Sequence, residues 1–149
     1  MIAAAWLING VDDLADVTRI YKTVFIEEQS LAEARHDVKH MGEQAHFLVV
    51  YEGEKAIGTG CLCLDGERFV LKKIAVLKPY RKTGIGDFMM RLLIRRAYEM
   101  GGSRQWLVAN EATRGFYEKF GFVPAAGTFE CLDESCVCMV RDGDISGHC

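Results

Sequence analysis

A strand-like run, "RFVLKKIAV" from Arg68 to Val76, leads into an amphipathic run, "GIGDFMMRLLIRRAYEM" from Gly84 to Met100, and then into a second strand-like run, "RQWLVAN" from Arg104 to Asn110. No other feature of the chain constrains its fold so much. A strand, a helix and a strand in this order form a right-handed crossover that leaves the two strands parallel in one sheet. Within the helix, Ile85, Phe88, Met89, Leu92, Leu93 and Ala97 recur at helical spacing and predict one buried face, closed by Gly101 and Gly102. Pro79 ends the first strand. Gly84 and Gly86 stand where strand turns into helix, with Lys78, Arg81 and Lys82 just before them.

The remaining elements arrange themselves around that unit. Ile2 to Ile8 is an apolar strand, after which Asp12 or Asp13 offers an N-cap to a helix with Leu14, Val17, Tyr21, Val24 and Phe25 on one side. From Ser30 to Gln44 the chain is polar and mixed, consistent with a short helix or a loop. "AHFLVVY" and "AIGTGCLCL" flank "EGEK", and Asp65-Gly66 signals a hairpin into the Arg68–Val76 strand, so three antiparallel strands follow in series. Asn110 suits the cap of a short helix, "EATRGFYEKF", with Gly121 at its C-terminal end. Gly115 inside that helix costs about 1 kcal/mol relative to alanine and predicts close packing against a ligand or a neighbouring strand. Two more strands are expected, one from Phe122 and one around Val137 to Arg141. No repeat or linker interrupts the chain, and residues 1–149 are expected to form a single domain.

Charge and cysteine usage exclude several functions. With a net charge of −3 and a pI near 5.8, the chain lacks the basic field of a nucleic-acid binder. No apolar run approaches the ~20 residues that span a bilayer, and "MIAAAWLING" lacks the charged region of a signal peptide, so no membrane association and a cytoplasmic location are expected. The six cysteines are then expected to be reduced. Cys61 with Cys63, and Cys136 with Cys138, lie two apart on strand faces, where cysteine packs as a small apolar residue. Cys131, Cys136, Cys138, His148 and Cys149 offer only irregular metal-ligand spacing, and no metal is expected.

A helix starting at Gly84 presents unpaired N–H groups and the positive end of its dipole, and glycines there let an anion approach closely. Phosphate or pyrophosphate suits such a site, with Arg81 able to pair bidentately, although the glycines alone fit an ordinary helix start equally well. The phosphate-binding G-x-x-x-x-G-K-[ST] does not occur, and a dinucleotide G-x-G-x-x-G would need a glycine at Met89. What does occur is "RKTGIG", an Arg-x-x-Gly-x-Gly at Arg81, Gly84 and Gly86 between a strand and a helix. It resembles the Q/R-x-x-G-x-G/A loop with which the GNAT superfamily of N-acetyltransferases cradles the pyrophosphate of acetyl-CoA. Asn110, Phe116, Tyr117, Gly121 and Phe122 also stand in the order and spacing of that family's second signature. The likeness covers about Val11 to Val140, and "YKTVFIEEQ" is similar to the "VFVxEQ" segment of a bacterial branch.

The resemblance implies an α/β (mixed α+β) fold: a mixed, mainly antiparallel sheet with a central, splayed parallel strand pair and flanking helices. It also implies an acetyl-CoA-dependent N-acetyltransferase that needs no metal, with an amine acceptor attacking the thioester directly in a ternary complex. Acetyl-CoA as co-substrate would be held by the backbone of Ile74, Ala75 and Val76, by the loop Arg81, Lys82, Thr83, Gly84, Ile85, Gly86 and Asp87, and by Asn110. Asn110 is equally suited to act as a helix cap alone. Tyr117 takes the family's general-acid position, since a phenol with a pKa of about 10 keeps its proton at neutral pH and can donate it to a departing thiolate. Some members place a glutamate on the preceding strand, eleven residues before the loop's Gln/Arg, and Val70 stands there instead. Glu27, Glu28, His46 or water remain as the general base. The acceptor is not encoded legibly, a homodimer is left open, and a non-catalytic acyl-CoA-binding module is the alternative reading.

Overall fold

The structure, a computed structural model, describes residues 1–28, 45–125 and 136–144; the segment read above from Ser30 to Gln44 lies outside these, as do Cys131, His148 and Cys149. In chain order the elements are β1 (Ile2–Ile8), α1 (Ala15–Tyr21), which continues as a π-helical segment (Lys22–Glu28), β2 (His46–Glu52), β3 (Lys55–Asp65), β4 (Arg68–Val76), α2 (Ile85–Glu99), β5 (Arg104–Asn110), α3 (Arg114–Glu118), β6 (Val123–Pro124) and β7 (Cys136–Asp142). The strands form one sheet in the order β1-β2-β3-β4-β5-β7-β6. Every neighbouring pair is antiparallel except β4 and β5, the pair joined by the α2 crossover. The mixed α/β class, the mainly antiparallel sheet and the central parallel pair are therefore as the sequence leads one to expect.

Short connections set the register of the first four strands. Glu52 pairs with Lys55 across Gly53, and Asp65 pairs with Arg68 across Gly66, both glycines at positive φ. Asp13 Oδ1 accepts from Ala15 N–H at 2.9 Å just ahead of α1, but the N-cap residue is Leu14, with no side-chain cap bond, rather than Asp12 or Asp13. The two faces of the sheet then bury separate cores. Val17, Ile20, Tyr21 and Val24 pack on Phe47, Val49, Cys61 and Ala75 on one face. On the other, α2 packs on Leu48, Ile57, Leu62, Leu71 and Leu107, with Phe120 and Phe122 beside it.

The buried face of α2 differs from the one read from periodicity. Ile85, Met89, Met90, Leu93, Ile94 and Ala97 are buried, while Phe88 is 38 % exposed and Leu92 half-buried. The cause lies in β3. A Cβ at Gly60 would come within 2.8 Å of Leu93 Cδ1, and one at Gly58 within 2.9 Å of Met89 Sδ, so these glycines form the trough in which the helix rests. With Leu93 seated over Gly60 at the centre, Met90 and Ile94 turn inward and Phe88 turns out. The sequence-based face missed this because the apolar stripe is wider than the contact.

At the far end of α2, Gly102 meets the Phe69 ring so closely that a Cβ would overlap it, lying 2.7 Å from Phe69 Cγ and 2.9 Å from Ala97 O. Neither a ring nor a backbone carbonyl yields easily. Gly102→Ala is therefore expected to destabilise the protein by about 1–3 kcal/mol, read as a fall in the thermal unfolding midpoint of roughly 3–10 °C. A midpoint unchanged from wild type would show that Phe69 has room to move.

Cys61, Cys63 and Cys138 are buried thiols outside any disulfide, with Cys61 Sγ and Cys63 Sγ 3.2 Å apart on one face of β3. Cys136, by contrast, is disulfide-bonded, which departs from the expectation that all six cysteines are reduced.

Candidate active site

The two parallel strands stay paired for only three residues, Phe69 with Gln105, Val70 with Trp106 and Leu71 with Leu107. Beyond that point β4 remains on β3 as far as Val76 opposite Gly58, and β5 remains on β7 as far as Asn110 opposite Cys136. A cleft opens between them. Its β4 wall contains Ile74, Ala75 and Val76, following a bulge at which Lys73 takes a φ of +54°. Such a bulge bends the strand and re-aims the residues after it. Ile74 and Val76 pack toward α2 while Ala75 is buried on the α1 face, so side chains leave in both directions and backbone is left along the cleft edge.

The loop from Arg81 to Gly84 crosses the open end of β4 on the surface, after a 3₁₀ turn at Lys78–Tyr80. Lys82 has a φ of +62° and Gly84 one of +90°, and Thr83 Oγ1 donates to Tyr80 O. Phe88 N–H is the first to bond within the helix, to Gly84 O at 3.0 Å, so the N–H groups of Ile85, Gly86 and Asp87 in the first turn have no intrahelical acceptor. Ile85 anchors the turn in the core at 8 % exposure.

That first turn touches α3. A Cβ at Gly86 would stand 3.2 Å from Phe116 Cζ, Lys119 Nζ lies 3.4 Å from Asp87 Oδ1, and Lys119 Nζ also sits 4.9 Å from the Phe116 ring centre. The two sequence signatures, some thirty residues apart, thus meet at the mouth of the cleft. No neighbouring strand packs closely on Gly115, since a Cβ there would meet no protein atom within 4 Å among the described residues. The tight approach is at Gly86.

α3 is held from both ends. Asn110 Oδ1 accepts from Thr113 N–H at 2.9 Å and from Thr113 Oγ1 at 3.0 Å, which closes the turn before α3; the cap residue of the helix itself is Thr113, not Asn110 as expected, because the helix starts only at Arg114. At the other end Arg141 Nε donates to Phe120 O at 2.8 Å, while its Nη1 donates to the buried Gln105 Oε1 at 2.7 Å. Between these anchors, Tyr117 packs edge-on against Phe116 and Phe122, with ring centres 5.2 and 6.4 Å away. Burial pushes its phenol up to about 12. Tyr117 therefore keeps its proton throughout the physiological range, as a donor must.

The base candidates fall in very different surroundings. Val70 is buried at 1 % exposure, so the strand position where the resemblance looks for a glutamate is apolar core. Glu28 is committed to Arg81: Oε2 accepts from Nη1 at 2.7 Å and Oε1 from Nη2 at 3.0 Å. The hydrogen bonds and charge of Arg81 hold its carboxyl below the usual glutamate range. His46, opposite Leu62 on the sheet, stands edge-on to Trp6 with Arg96 Nη2 at 3.4 Å from Nδ1. Burial first, and the Arg96 charge second, lower its pKa, so the imidazole is neutral at pH 7. Glu27 is exposed on the last turn of the π-helical segment. Among the described residues, no three His, Cys, Asp or Glu side chains are grouped to hold a metal ion, and no helix is long and apolar enough to cross a membrane.

A model of the acetyltransferase (GNAT) family matches residues 13–122, a span that includes the cleft, the glycine loop and α3. The chain belongs to the GNAT acetyltransferase family. Among its relatives, the Bacillus subtilis protein YyaT is 34 % identical over 74 % of this chain and 76 % of its own length. The B. subtilis N-acetyltransferase YjcF is 31 % identical over 79 % of this chain and 84 % of its own. In fold, Escherichia coli ElaA superposes with a TM-score of 0.80 at 18 % identity, covering 95 % of this chain and all of that one. As a GNAT protein the chain carries a coenzyme A-binding architecture. The sequence alone missed two of this architecture's contacts here, that of Phe116 with Gly86 and that of Glu28 with Arg81. The first was signalled only by the aromatic pair Phe116–Tyr117, and the second only by the acidic end of "VFIEEQ".

Proposed function

We propose that this single domain of residues 1–149 is a cytoplasmic N-acetyltransferase, of the branch carrying the "VFVxEQ"-like segment, that passes the acetyl group of acetyl-CoA to an amine by direct attack in a ternary complex. What supports this reading is the parting of β4 from β5, the first-turn N–H groups of α2 left without an intrahelical acceptor, and the contact of that turn with Phe116, next to which Tyr117 keeps its proton. The backbone of Ile74, Ala75 and Val76 would hold the pantetheine arm as a strand would. The loop of Arg81, Lys82, Thr83, Gly84, Ile85, Gly86 and Asp87 would hold the pyrophosphate, whose charge the helix dipole favours. Asn110, whose Oδ1 is bonded to Thr113, would add a polar contact from its amide.

Chemistry then needs a neutral amine near the thioester and a proton for the leaving sulfur. Tyr117 supplies the proton at its phenol oxygen. With Val70 apolar and Glu28 engaged, amine deprotonation is left to solvent, and no metal takes part. The rate should therefore rise with pH through the pKa of the acceptor amine and fall only as pH approaches about 12, where Tyr117 loses its proton. A pH-rate profile with a limb at a carboxylate pKa, abolished by Glu27→Gln, would place the base on the protein instead.

The apolar Val70 is also what favours the alternative, an acyl-CoA-binding module without catalysis. Incubating the protein with acetyl-CoA and a panel of small amines, amino acids and peptides while following thiol release separates the two. Release that depends on one acceptor class supports the enzyme. Saturable binding of acetyl-CoA with no release for any acceptor supports the module.

A further inference from the structure

Arg81 leads the glycine loop, yet three of its five N–H groups are already engaged within the protein. A guanidinium has five N–H groups in a fixed planar fork. Two of them, one on each terminal nitrogen, lie parallel and engage both oxygens of Glu28 at 2.7 and 3.0 Å. The Nε–H donates to Val76 O at 2.9 Å. With the end-on pair on a carboxylate and the Nε edge on a carbonyl, no parallel pair of N–H groups remains for a bidentate grip on phosphate.

We propose that Glu28 is a positioning residue for the acetyl-CoA site: by holding the Arg81 fork, it pins the glycine loop to the end of β4 and so presents the α2 N–H groups in binding geometry. The inference rests on the acetyl-CoA reading of that site. Arg81 is then a brace, and the phosphates meet backbone. Three places need such a brace. Val76 is the last residue of β4, beyond the final β4–β5 pair at Leu71 and Leu107. Lys82, next to Arg81, sits at a positive φ that an L-residue adopts at a cost. Glu28 ends the π-helical continuation of α1, so the pair also ties the α1 layer to the loop across 53 residues of chain. Charge balance follows from the same contact, because a carboxylate beside a pyrophosphate site repels the ligand unless Arg81 neutralises it.

The alternative role for this pair is competition, in which Glu28 occupies the fork until phosphate displaces it. The two roles predict opposite signs. As a brace, Glu28→Gln weakens acetyl-CoA binding about threefold to tenfold, raising KM for acetyl-CoA with kcat held. As a competitor, Glu28 frees Arg81 when removed, and affinity rises. A second variant gives an independent reading. Arg81→Ala strands the Glu28 charge at the site and should weaken binding more than the Glu28→Gln/Arg81→Ala double variant does. Titrating acetyl-CoA into wild type, the two single variants and the double variant by calorimetry tests all of this. Weaker binding in Glu28→Gln, together with partial recovery in the double variant relative to Arg81→Ala, supports the brace. Equal or tighter binding in Glu28→Gln, or a double variant as weak as Arg81→Ala, overturns it while leaving the acetyl-CoA reading intact. Absence of acetyl-CoA binding by wild type overturns that reading itself, and the brace with it.

Discussion

Tyr117→Phe is expected to lower kcat by about 10²–10⁴-fold, the range of a lost general acid, with acetyl-CoA affinity and folding unchanged. The magnitude follows from where the hydroxyl stands. Among the described residues no group hydrogen-bonds it, and its ring is held by Phe116 and Phe122, so phenylalanine keeps the packing and deletes only the oxygen. The environment that raises its pKa to about 12 disfavours the phenolate rather than the phenol. This suits a group that must hold its proton until a thiolate forms, and opposes any use of Tyr117 as a base. The measurement is turnover under conditions where chemistry limits the rate, alongside calorimetric affinity for acetyl-CoA. An unchanged kcat would show that the leaving sulfur takes its proton from water, and Tyr117 would be a packing residue.

Much of this architecture was legible because it rests on local rules. The hairpins at Gly53 and Gly66 depend on residue types within a few positions of one another, and the parallel pair follows from the strand–helix–strand order alone. The splay of β4 and β5 came only through family resemblance, since nothing in "KKIAV" or "VAN" says where pairing stops. The rotation of α2 was hidden for a different reason. Its position is set by two glycines of β3, which periodicity within the helix cannot register. Ion pairs between distant segments were the least legible of all. The sequence offers Glu28 as a candidate base and Arg81 as a phosphate partner, and only the fold brings them to 2.7 Å of each other. The same holds for His46, a candidate base in the sequence, which the fold places beside Trp6 and Arg96.

Gly86→Asp is expected to abolish acetyl-CoA binding while the protein still folds. Gly86 lies in the first turn of α2, where the free N–H groups and the helix dipole attract an anion, and an aspartate there would supply a fixed one. Two phosphates would face both its charge and its bulk. The same carboxylate complements the dipole, so the helix itself gains from it. Gly86 does not sit at positive φ, unlike Gly84, and its backbone accepts an L-residue without strain. The cost to folding comes from Phe116, whose Cζ would lie 3.2 Å from the new Cβ and must give by a few tenths of an ångström. Half-buried at the rim, that ring has room to shift, and a modest loss of stability is expected. Gly86→Ala separates the two effects, because it moves Phe116 by the same contact but adds no charge. Wild type should gain thermal stability as acetyl-CoA is raised above its dissociation constant, by about 2.7 kcal/mol at a hundredfold excess. The alanine variant should retain part of that gain, and a folded aspartate variant none. If the aspartate variant gained stability as wild type does, the phosphates would lie away from this turn, and the glycine loop would be a helix start and nothing more.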